Sequence, residues 1–294
     1  MKETPDISIV VLNWNTSYLL TRALESIISA AGDINYEVIV IDNASTDGGF
    51  KHVPENIRHN PRFTFIQNEK NLGWAAINIM LEQSHTKYIA TIDPDALLRP
   101  GALQSLYRFM EEHPEAGAAT ASLFNPDGSP QLYYRRIMTP SIYFFTTIIG
   151  RVIDKYLLNL RRWKQYRYED LNINVLSEVE QPAWPCLMWR REALGTYIVD
   201  EQIPFYFLDV EMSRSLYNRG YKIYLVPDAT ITHLKSTSYN KKESSWRRKE
   251  YNRSLMVYFK KHYPFSAPLV WVAAWIDRAL RALSRAFLGR EPLR

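Results

Sequence analysis

Three runs of mostly apolar, β-branched residues recur in the first third of the chain, and polar residues follow each of them. The runs are Ile7–Leu12, Glu37–Ile41 and Tyr88–Ile92. Runs of this length and composition are typical of strands buried on both faces of a parallel sheet. Helical spacing over Tyr18–Ala31 and Trp74–Gln83 predicts right-handed βαβ units between them. The pattern predicts an α/β fold with a Rossmann-like, mostly parallel sheet flanked by helices.

The polar residues after these strands are predicted to meet in one crevice. Asn13, Asp42 and Asp93 each follow a strand directly, although they are far apart in sequence. In open α/β sheets, ligands bind outside the carboxyl ends of the strands. We therefore expect these three side chains to line a common binding site.

The segment Asp93-Pro94-Asp95 places two carboxylates one residue apart on a turn that proline stiffens. Hard divalent cations prefer such oxygen ligands, and Mg²⁺ is usually held by one or two carboxylates together with substrate phosphates. The segment predicts a site for Mg²⁺ or Mn²⁺ that also binds a diphosphate. The alternative is a solvated turn, in which acids beside a proline are common.

Two further segments are compatible with nucleotide binding. At the end of its strand, the Asp42 carboxylate is placed to accept a hydrogen bond from a base imide. Asn71 and Gly73 precede a predicted helix, whose amino end is a favourable place for phosphate. Each segment is also compatible with an ordinary turn and helix cap.

In the second half of the chain, Asp209 lies among aromatic residues and His233 follows a predicted strand over Lys222–Val226. A carboxylate that faces a sugar can act as general base towards an acceptor hydroxyl, and a neutral imidazole can bind the same metal as Asp95. The alternatives are a helix N-cap for Asp209 and a structural hydrogen-bonding role for His233.

Composition adds limits on size, partners and compartment. The 294 residues are 46% hydrophobic, which is enough for a sizeable core. The net charge is +5, and positive residues concentrate within 161–167 and 241–253, a pattern that suits phosphates, nucleic acid or anionic lipid. Because Cys186 is the only cysteine and no leader-like segment opens the sequence, we expect a cytoplasmic protein.

The segment 264–294 is predicted to be an amphipathic helical tail. Apolar residues recur there at helical spacing and arginines lie on another face: Leu269, Val272, Ile276, Leu280, Leu283 and Phe287, against Arg278, Arg281 and Arg285. Trp271 and Trp275 add interfacial aromatic side chains. Such a helix either lies on a membrane surface or packs on its own domain or on a second subunit, which would give a homodimer.

The order of these segments over about residues 6 to 263 resembles glycosyltransferase family 2, especially its bacterial rhamnosyltransferase-like branch. The resemblance implies a GT-A fold over residues 1–263, with a nucleotide-binding half over about 1–120 and an acceptor-binding half over about 121–263.

The resemblance also implies roles for individual residues. Asp42 resembles the acid that binds the base, Asp93 the acid near the ribose, and Asp95 the metal-binding carboxylate. Asp209 resembles the catalytic base, and His233 falls where relatives place a metal or diphosphate contact.

Other positions match or depart from the family pattern. Arg190 and Arg191 match two arginines that follow an apolar strand, and they are assigned to the nucleotide-sugar site. Leu208 replaces the glutamate that commonly precedes the base. Trp184 replaces small residues, and its ring is predicted to stack on a sugar face.

The function implied is inverting, metal-dependent transfer of a sugar from a nucleoside diphosphate donor to a hydroxyl of a saccharide or lipid-linked acceptor, in cell-envelope polysaccharide synthesis. Rhamnose from dTDP-rhamnose is the first expectation for the donor, and a UDP-hexose is the second. We expect the protein at the inner face of the cell membrane, in peripheral contact through its C-terminal helix. The alternative is a non-catalytic GT-A module that binds nucleotide sugar or glycan. Nucleic acid is not expected as a partner, because acids at strand ends repel phosphate unless a metal intervenes.

Overall fold

The computed structural model describes residues 4–182, 184–203, 205–235 and 244–288. Part of the basic segment 241–253, including Lys241 and Lys242, lies outside these residues, as does the tail beyond residue 288. The strands of the described chain are Ile7–Asn13 (β1), Tyr36–Asp42 (β2), Phe63–Gln67 (β3), Tyr88–Ile92 (β4), Ala96–Leu98 (β5), Ala116–Phe124 (β6), Ser177–Glu178 (β7), Cys186–Arg190 (β8) and Lys222–His233 (β9).

Helices connect and cover these strands. They are Ser17–Ala31 (α1), Glu55–Arg58 (α2), Asn78–Gln83 (α3), Ala102–Glu112 (α4), Pro140–Thr146 (α5), Ile148–Ile153 (α6), Arg162–Tyr166 (α7), Arg191–Leu194 (α8), Leu208–Asn218 (α9), Ser244–His262 (α10) and Ala267–Leu288 (α11). Short 3₁₀ helices span Gly49–His52 and Gly73–Ile77, and a π-helical turn spans Asp154–Leu158.

All the described strands join one sheet in the order β3-β2-β1-β4-β8-β6-β9-β5, and β7 pairs with β9 off this path. The neighbouring strands β3, β2, β1 and β4 are parallel to one another, and β6 is parallel to β9. In contrast, β8 runs antiparallel to both of its neighbours, β4 and β6. The mostly parallel α/β sheet predicted from the sequence is confirmed.

Helices pack on both faces of this sheet. On one face, α1 and α4 contribute buried apolar residues such as Leu20, Leu24 and Leu103. On the other face, α3 and α9 do the same with residues such as Met80 and Met212. The apolar strands are covered on both sides, as their composition predicts.

Two elements differ from the sequence prediction. The predicted helix Trp74–Gln83 begins as the 3₁₀ helix Gly73–Ile77 and becomes α-helical only at Asn78. The strand predicted to end at Val226 continues to His233. A bulge in β9 allows this: Ala121 of β6 pairs with Val226, and the next residue of β6, Ser122, pairs with Thr230. This extension pairs His233 with Ala96 of β5.

The predicted C-terminal helix is present as α11. A third apolar cluster joins α10 and α11 to the start of α9. It includes Phe207 just before α9, Val210 in its first turn, Tyr258 and Phe259 of α10, and Val270 of α11. No helix within the described residues has both the length and the apolar composition to cross a membrane.

Candidate active site

Side chains at the ends of three adjacent strands form a hydrogen-bonded row. The register pairs Asn13 with Asp42 and Asp42 with Gln67. Asn13 Nδ2 donates to Asp42 Oδ1 at 2.6 Å, and Gln67 Nε2 donates to Asp42 Oδ2 at 2.7 Å. The backbone N–H of Ser45 also donates to Asp42 Oδ2, at 3.0 Å. Asp42, which is 1% exposed, therefore ties the ends of these three strands together.

The next residue, Asn43, holds the loop that carries Asn71 and Gly73. Its Nδ2 group donates to Asn71 Oδ1 and to the Gly73 carbonyl, both at 2.9 Å, and its Oδ1 accepts from the Leu72 N–H at 3.0 Å. Gly73 adopts a φ of +59°, a left-handed conformation that favours glycine. These contacts explain why the predicted helix begins as a tighter 3₁₀ turn at this point.

Asp93, Asp95 and His233 form a cluster of metal-ligand type beyond β4. One ligand atom from each lies within 4.8 Å of the others. The cluster depends on topology, because β5 pairs with the end of β9 and sets Ala96 opposite His233. Donors to a single Mg²⁺ or Mn²⁺ lie up to about 4 Å apart, so a small side-chain adjustment brings these two carboxylates and one imidazole onto one cation.

The charges in this cluster also favour a cation. Desolvation by burial, followed by the charge of Asp95, raises the pKa of Asp93 to about 7, and His233 acts in the opposite direction. His233 Nε2 lies 3.3 Å from Asp95 Oδ2, and Nδ1 lies 2.9 Å from Gln131 Oε1. Because that amide oxygen can only accept, Nδ1 is the donor in this contact, and Nε2 is the ring nitrogen that faces the carboxylates. The donor set therefore fits a divalent ion with oxygen and imidazole ligands.

A cavity of about 430 Å³ opens above the cluster at the carboxyl ends of the strands. Five of the residues assigned from the sequence line it, namely Asn71, Gly73, Asp93, Asp95 and His233, whereas Asn13 and Asp42 are not among its lining residues. It is also lined by Leu12, Trp14, Thr16, Asn43, Trp74, Pro94, Tyr133, Phe205 and Lys235. The cavity combines a metal-ligand cluster, amide groups, one cation and several aromatic faces, which is the composition of a small-molecule site.

Asp209 lies in a separate, smaller cavity. This cavity of about 150 Å³ is lined by Met138, Tyr166, Gln181, Tyr206, Phe207, Asp209, Val210 and Tyr251. Burial raises the pKa of Asp209, while a 2.6 Å hydrogen bond from Gln181 Nε2 to Oδ2 lowers it. Phe205 lines the large cavity and Tyr206 the small one. Consecutive residues thus border the two spaces.

Comparison with known proteins identifies the family. The sequence model of Glycosyl transferase family 2 matches residues 8–197, which is more than half of the chain. The chain belongs to glycosyltransferase family 2.

Curated relatives within this group match over different lengths. The chain is 25% identical over 310 aligned residues to the N-acetylglucosaminyl-diphospho-decaprenol L-rhamnosyltransferase of Mycobacterium tuberculosis. The alignment covers 99% of this chain and 95% of that protein. It is 34% identical over 115 residues to the putative glycosyltransferase EpsE of Bacillus subtilis and 30% identical over 114 residues to an uncharacterized glycosyltransferase of Haemophilus influenzae. These two matches cover 41% and 35% of the relatives' lengths.

Solved structures confirm the fold. The mannosyltransferase PcManGT from Pyrobaculum calidifontis, solved in complex with GDP-Man and Mn²⁺, superposes with a TM-score of 0.55 at 17% identity, covering 97% of this chain and 76% of that one. S. aureus TarS, residues 1–349, gives a TM-score of 0.53 at 17% identity, covering 89% and 74%. The family 2 chain therefore has the GT-A fold.

Trp184, a departure from the family pattern, was predicted to stack on a sugar face, but the structure places its ring behind the cavity wall. Trp184 is 6% exposed and packs edge to face against Trp74 and Trp189, with ring centroids 5.0 and 5.2 Å away. Trp74 lines the cavity instead. Trp184 is thus a support for the cavity wall, because a buried ring packed between two others has no free face for a sugar.

Arg190 and Arg191, which the resemblance assigned to the nucleotide-sugar site, lie elsewhere. Arg190 pairs in register with Tyr88 at the start of β4, whereas Asp93 follows the end of that strand. Its guanidinium donates to the carbonyls of Met110, Ala116 and His113. Arg191 donates to Leu81 and Gly195 carbonyls. Because β8 runs antiparallel to β4, both arginines lie near the amino end of β4. Their guanidinium groups donate to backbone carbonyls there.

Asp42 stands at the predicted strand end, beside the cavity. Its carboxylate accepts hydrogen bonds from Asn13, Gln67 and Ser45, and it is not among the residues that line the cavity. The neighbouring Asn43 lines the cavity instead. Its role as a base-binding acid stays a prediction.

Sequence reasoning missed several cavity residues, namely Trp14, Asn43, Trp74, Tyr133, Phe205 and Lys235. Some signals were available: Trp14 follows Asn13 at a strand end, and Lys235 lies two residues beyond His233. Tyr133 gave none, because it reaches the site through a connection after β6 that has no regular periodicity.

Proposed function

We propose that this family 2 chain is an inverting, metal-dependent glycosyltransferase that moves a sugar from a nucleoside diphosphate to an acceptor hydroxyl. The cluster of Asp93, Asp95 and His233 in the wall of the large cavity carries the proposal. A site that joins two carboxylates and an imidazole beside an amide-rich loop suits a diphosphate and its cation.

Asp95 and His233 would hold Mn²⁺ or Mg²⁺, with Asp93 beside them near the ribose. We favour Mn²⁺, because an imidazole ligand suits it better than Mg²⁺. When bound, the cation neutralises the charge that develops on the departing diphosphate. The Lys235 ammonium, which lines the same cavity, adds positive charge on that side.

Asn13, Asp42, Asn71 and Gly73 form the nucleotide side. The row through Asp42 fixes the strand ends, and Asn43 fixes the loop at Asn71 and Gly73. We propose that the base lies against this rigid edge, with uracil or thymine preferred because their imide N–H matches an acceptor such as Asp42. Trp74 and Trp14 supply apolar faces for the sugar or base.

Asp209 would act as the general base. Its carboxylate would take the proton of the acceptor hydroxyl as that oxygen bonds to the anomeric carbon and the bond to the diphosphate breaks. The aromatic cavity around Asp209 would then receive the acceptor, and residues 121–263 would form the acceptor half. Residues 1–120 would form the donor half.

For the substrates, we propose rhamnose from dTDP-rhamnose and a lipid-linked saccharide acceptor, with a UDP-hexose as the second choice of donor. Support comes from the Mycobacterium tuberculosis relative, whose name specifies L-rhamnosyl transfer to a diphospho-decaprenol glycolipid and which matches along almost the whole chain. We place the enzyme at the inner face of the cell membrane in cell-envelope polysaccharide synthesis.

A second candidate function is binding of nucleotide sugar or glycan without turnover. Two observations favour it: Leu208 stands where relatives commonly have glutamate, and Asp209 does not line the large cavity. Retention of all three metal-ligand residues argues for the enzyme.

One experiment separates the two functions. The purified protein is incubated with Mn²⁺, an acceptor glycolipid and each of dTDP-rhamnose, UDP-glucose, GDP-mannose and a CMP sugar, and released nucleotide is measured. Release that depends on dTDP-rhamnose and acceptor is expected. Stabilisation against heat by the sugar nucleotide without release would establish the binding module, and a preference for the CMP sugar would overturn the donor assignment.

A further inference from the structure

The C-terminal helix α11 packs on the protein through its least apolar face. Ala267, Val270 and Ala274 are buried against the domain. Asp277 also faces inward, because its Oδ1 accepts from the Ile148 N–H at 2.7 Å. Arg281 Nε donates to Asp277 Oδ2 at 2.6 Å. A surface helix normally buries its large apolar side chains, whereas the only described residues of α11 that are buried are Ala267, Val270 and Ala274.

Several large apolar side chains of α11 are exposed. Their exposed fractions reach 73% at Leu269, 58% at Trp275 and 53% at Trp271 and Leu283. Phe265, just before the helix, is 96% exposed. Of the apolar face predicted from helical spacing, Leu269, Val272 and Leu283 are exposed, whereas Ile276 and Leu280 are half-buried.

A second open apolar segment lies at residues 149–160. Its exposed members are Ile149, Val152, Tyr156, Leu157, Leu158 and Leu160, of which Leu157 is 77% exposed. The segment is firmly held: the buried Asp154 carboxylate accepts from the N–H groups of Leu160 and Arg162 at 2.9 and 2.7 Å. The protein thus fixes a protruding turn that has leucines at its surface.

The two segments are neighbours. The contact from Ile148 to Asp277 joins the start of α6 to the middle of α11. Burial, followed by the nearby charge of Arg281 on α11, lowers the pKa of Arg151 on α6. One side of the molecule therefore carries both apolar segments, and apolar surface of this extent on one side of a protein marks an interaction site.

Charge identifies the partner. Asp154 and Asp277 are the only acids in 148–167 and 265–284, and both carboxylates are occupied within the protein. Exposed bases surround the turn, namely Lys155, Arg161, Arg162 and Lys164. Apolar and tryptophan side chains beside exposed bases match a bilayer with anionic head groups.

We propose that α11 and the 149–160 turn together form one surface that binds an anionic lipid bilayer. A second copy of the chain fits this surface less well, since a two-fold contact would bring the same bases of both protomers together. The proposal deepens the membrane location given under the proposed function, but it concerns lipid binding and not the sugar transferred.

The test is flotation with vesicles of phosphatidylcholine alone or mixed equally with phosphatidylglycerol. We expect the wild-type chain to float with the mixed vesicles. The double variant Leu157→Glu with Leu269→Glu, which places one charge in each segment, should bind them at least about tenfold more weakly. Arg161→Gln with Arg162→Gln should lose about tenfold on the mixed vesicles and change little on the neutral ones.

A matched control carries Val175→Glu with Leu176→Glu, since these residues are 53% and 46% exposed and lie outside both segments. It should float like wild type. Thermal stabilisation by a sugar nucleotide, measured on every variant, reports folding separately from lipid binding and from turnover. Undiminished flotation of the variant with Leu157→Glu and Leu269→Glu would overturn the proposal. So would a wild-type chain that is a dimer in solution and does not bind vesicles, if the same double variant is a monomer.

Discussion

The two sides of the candidate site are built in different ways. On the proposed donor side, Asn13, Asp42 and Asp93 stand at or just beyond strand ends. Strand pairing and a side-chain hydrogen bond fix Asn13 and Asp42, and the Asp93 N–H donates to the Pro185 carbonyl. On the proposed acceptor side, Asp209 lies in the first turn of α9 among aromatic rings. Sheet register determines one side, and packing between side chains determines the other.

This difference affects how each side tolerates change. A strand-end residue keeps its place even when one partner is lost, because the backbone ladder remains. Asp209 lies two residues after Phe207. The backbone of Phe207 has a φ of +68°, a left-handed value that is strained for a bulky residue. The surrounding aromatic cluster must hold this conformation, so the acceptor side depends on packing at a distance from the carboxylate.

The largest effect is expected at Asp209. Asp209→Asn keeps the shape of the side chain but removes the basic oxygen, so turnover should fall by about 10²–10⁴-fold. Nucleotide binding on the donor side should be unchanged, which titration calorimetry with dTDP and Mn²⁺ can measure. Asp127→Asn, in an exposed turn, is the matched control. Near-normal turnover of Asp209→Asn would show that the base is another residue.

Next in size is the effect of Gln131→Leu on the donor side. Gln131 Oε1 fixes the ring of His233, and loss of such a support typically weakens metal binding about 10–100-fold. Calorimetric titration of Mn²⁺ in the presence of dTDP measures the change. Unaltered affinity would mean that strand pairing alone orients His233, which would sharpen the contrast between the two sides.

A pH profile tests the acceptor side. Gln181 lowers the pKa of Asp209, which burial raises. Gln181→Leu removes the lowering contribution, so the pKa of Asp209 rises further and the base is protonated over a wider acid range. The acid limb of kcat/KM should move to higher pH, while Gln165→Leu, at an exposed glutamine, should leave it in place. If the limb of Gln181→Leu does not move, the group that titrates in the profile is not Asp209.

Stability should fall when the donor loop loses its buried amide. Asn43→Ala removes hydrogen bonds to Asn71, Leu72 and Gly73, and urea unfolding should show a loss of about 2–3 kcal/mol. Asn172→Ala, at an exposed position that caps a surface turn, should cost less than about 0.5 kcal/mol. Equal losses in the two variants would contradict a special role for Asn43.

The smallest effect is expected at Ala44, whose φ of +59° is left-handed. Ala44→Gly relieves this strain and should raise the free energy of unfolding by about 0.5 kcal/mol. In contrast, Ala282→Gly, at an exposed position of α11, should lower it by about 1 kcal/mol. A destabilised Ala44→Gly would show that the loop after β2 does not store this strain.

The sequence predicted the parallel strands and the residues at their ends for a physical reason. Apolar strands that end in polar residues have few arrangements, and right-handed βαβ units bring Asn13, Asp42 and Asp93 to one edge. His233 also lies in the metal-ligand cluster, although the strand before it was predicted to end at Val226 and in fact includes His233. The bulge that extends β9 depends on pairing with β6 and β5, which local sequence does not reveal.

The predictions that failed in position concern residues whose environment depends on tertiary packing. Trp184 and Arg190 flank and end β8, an antiparallel strand inserted into the parallel sheet. Its direction places Arg190 at the far end of the sheet from the cavity, and the packing of Trp74 over Trp184 decides which ring lines the wall. Neither property follows from periodicity or from a family pattern.

The most direct test of the central claim, that the strand ends bind a nucleoside diphosphate together with a divalent cation, is electron paramagnetic resonance of Mn²⁺. In the presence of dTDP, the signal of free Mn²⁺ should decrease as wild-type protein is added, and Asp127→Asn should behave identically. Asp95→Asn should leave most of the Mn²⁺ free, because one of the two carboxylates in the cluster is lost. Equal Mn²⁺ binding by wild type and Asp95→Asn would contradict the assignment of this cluster as the metal site.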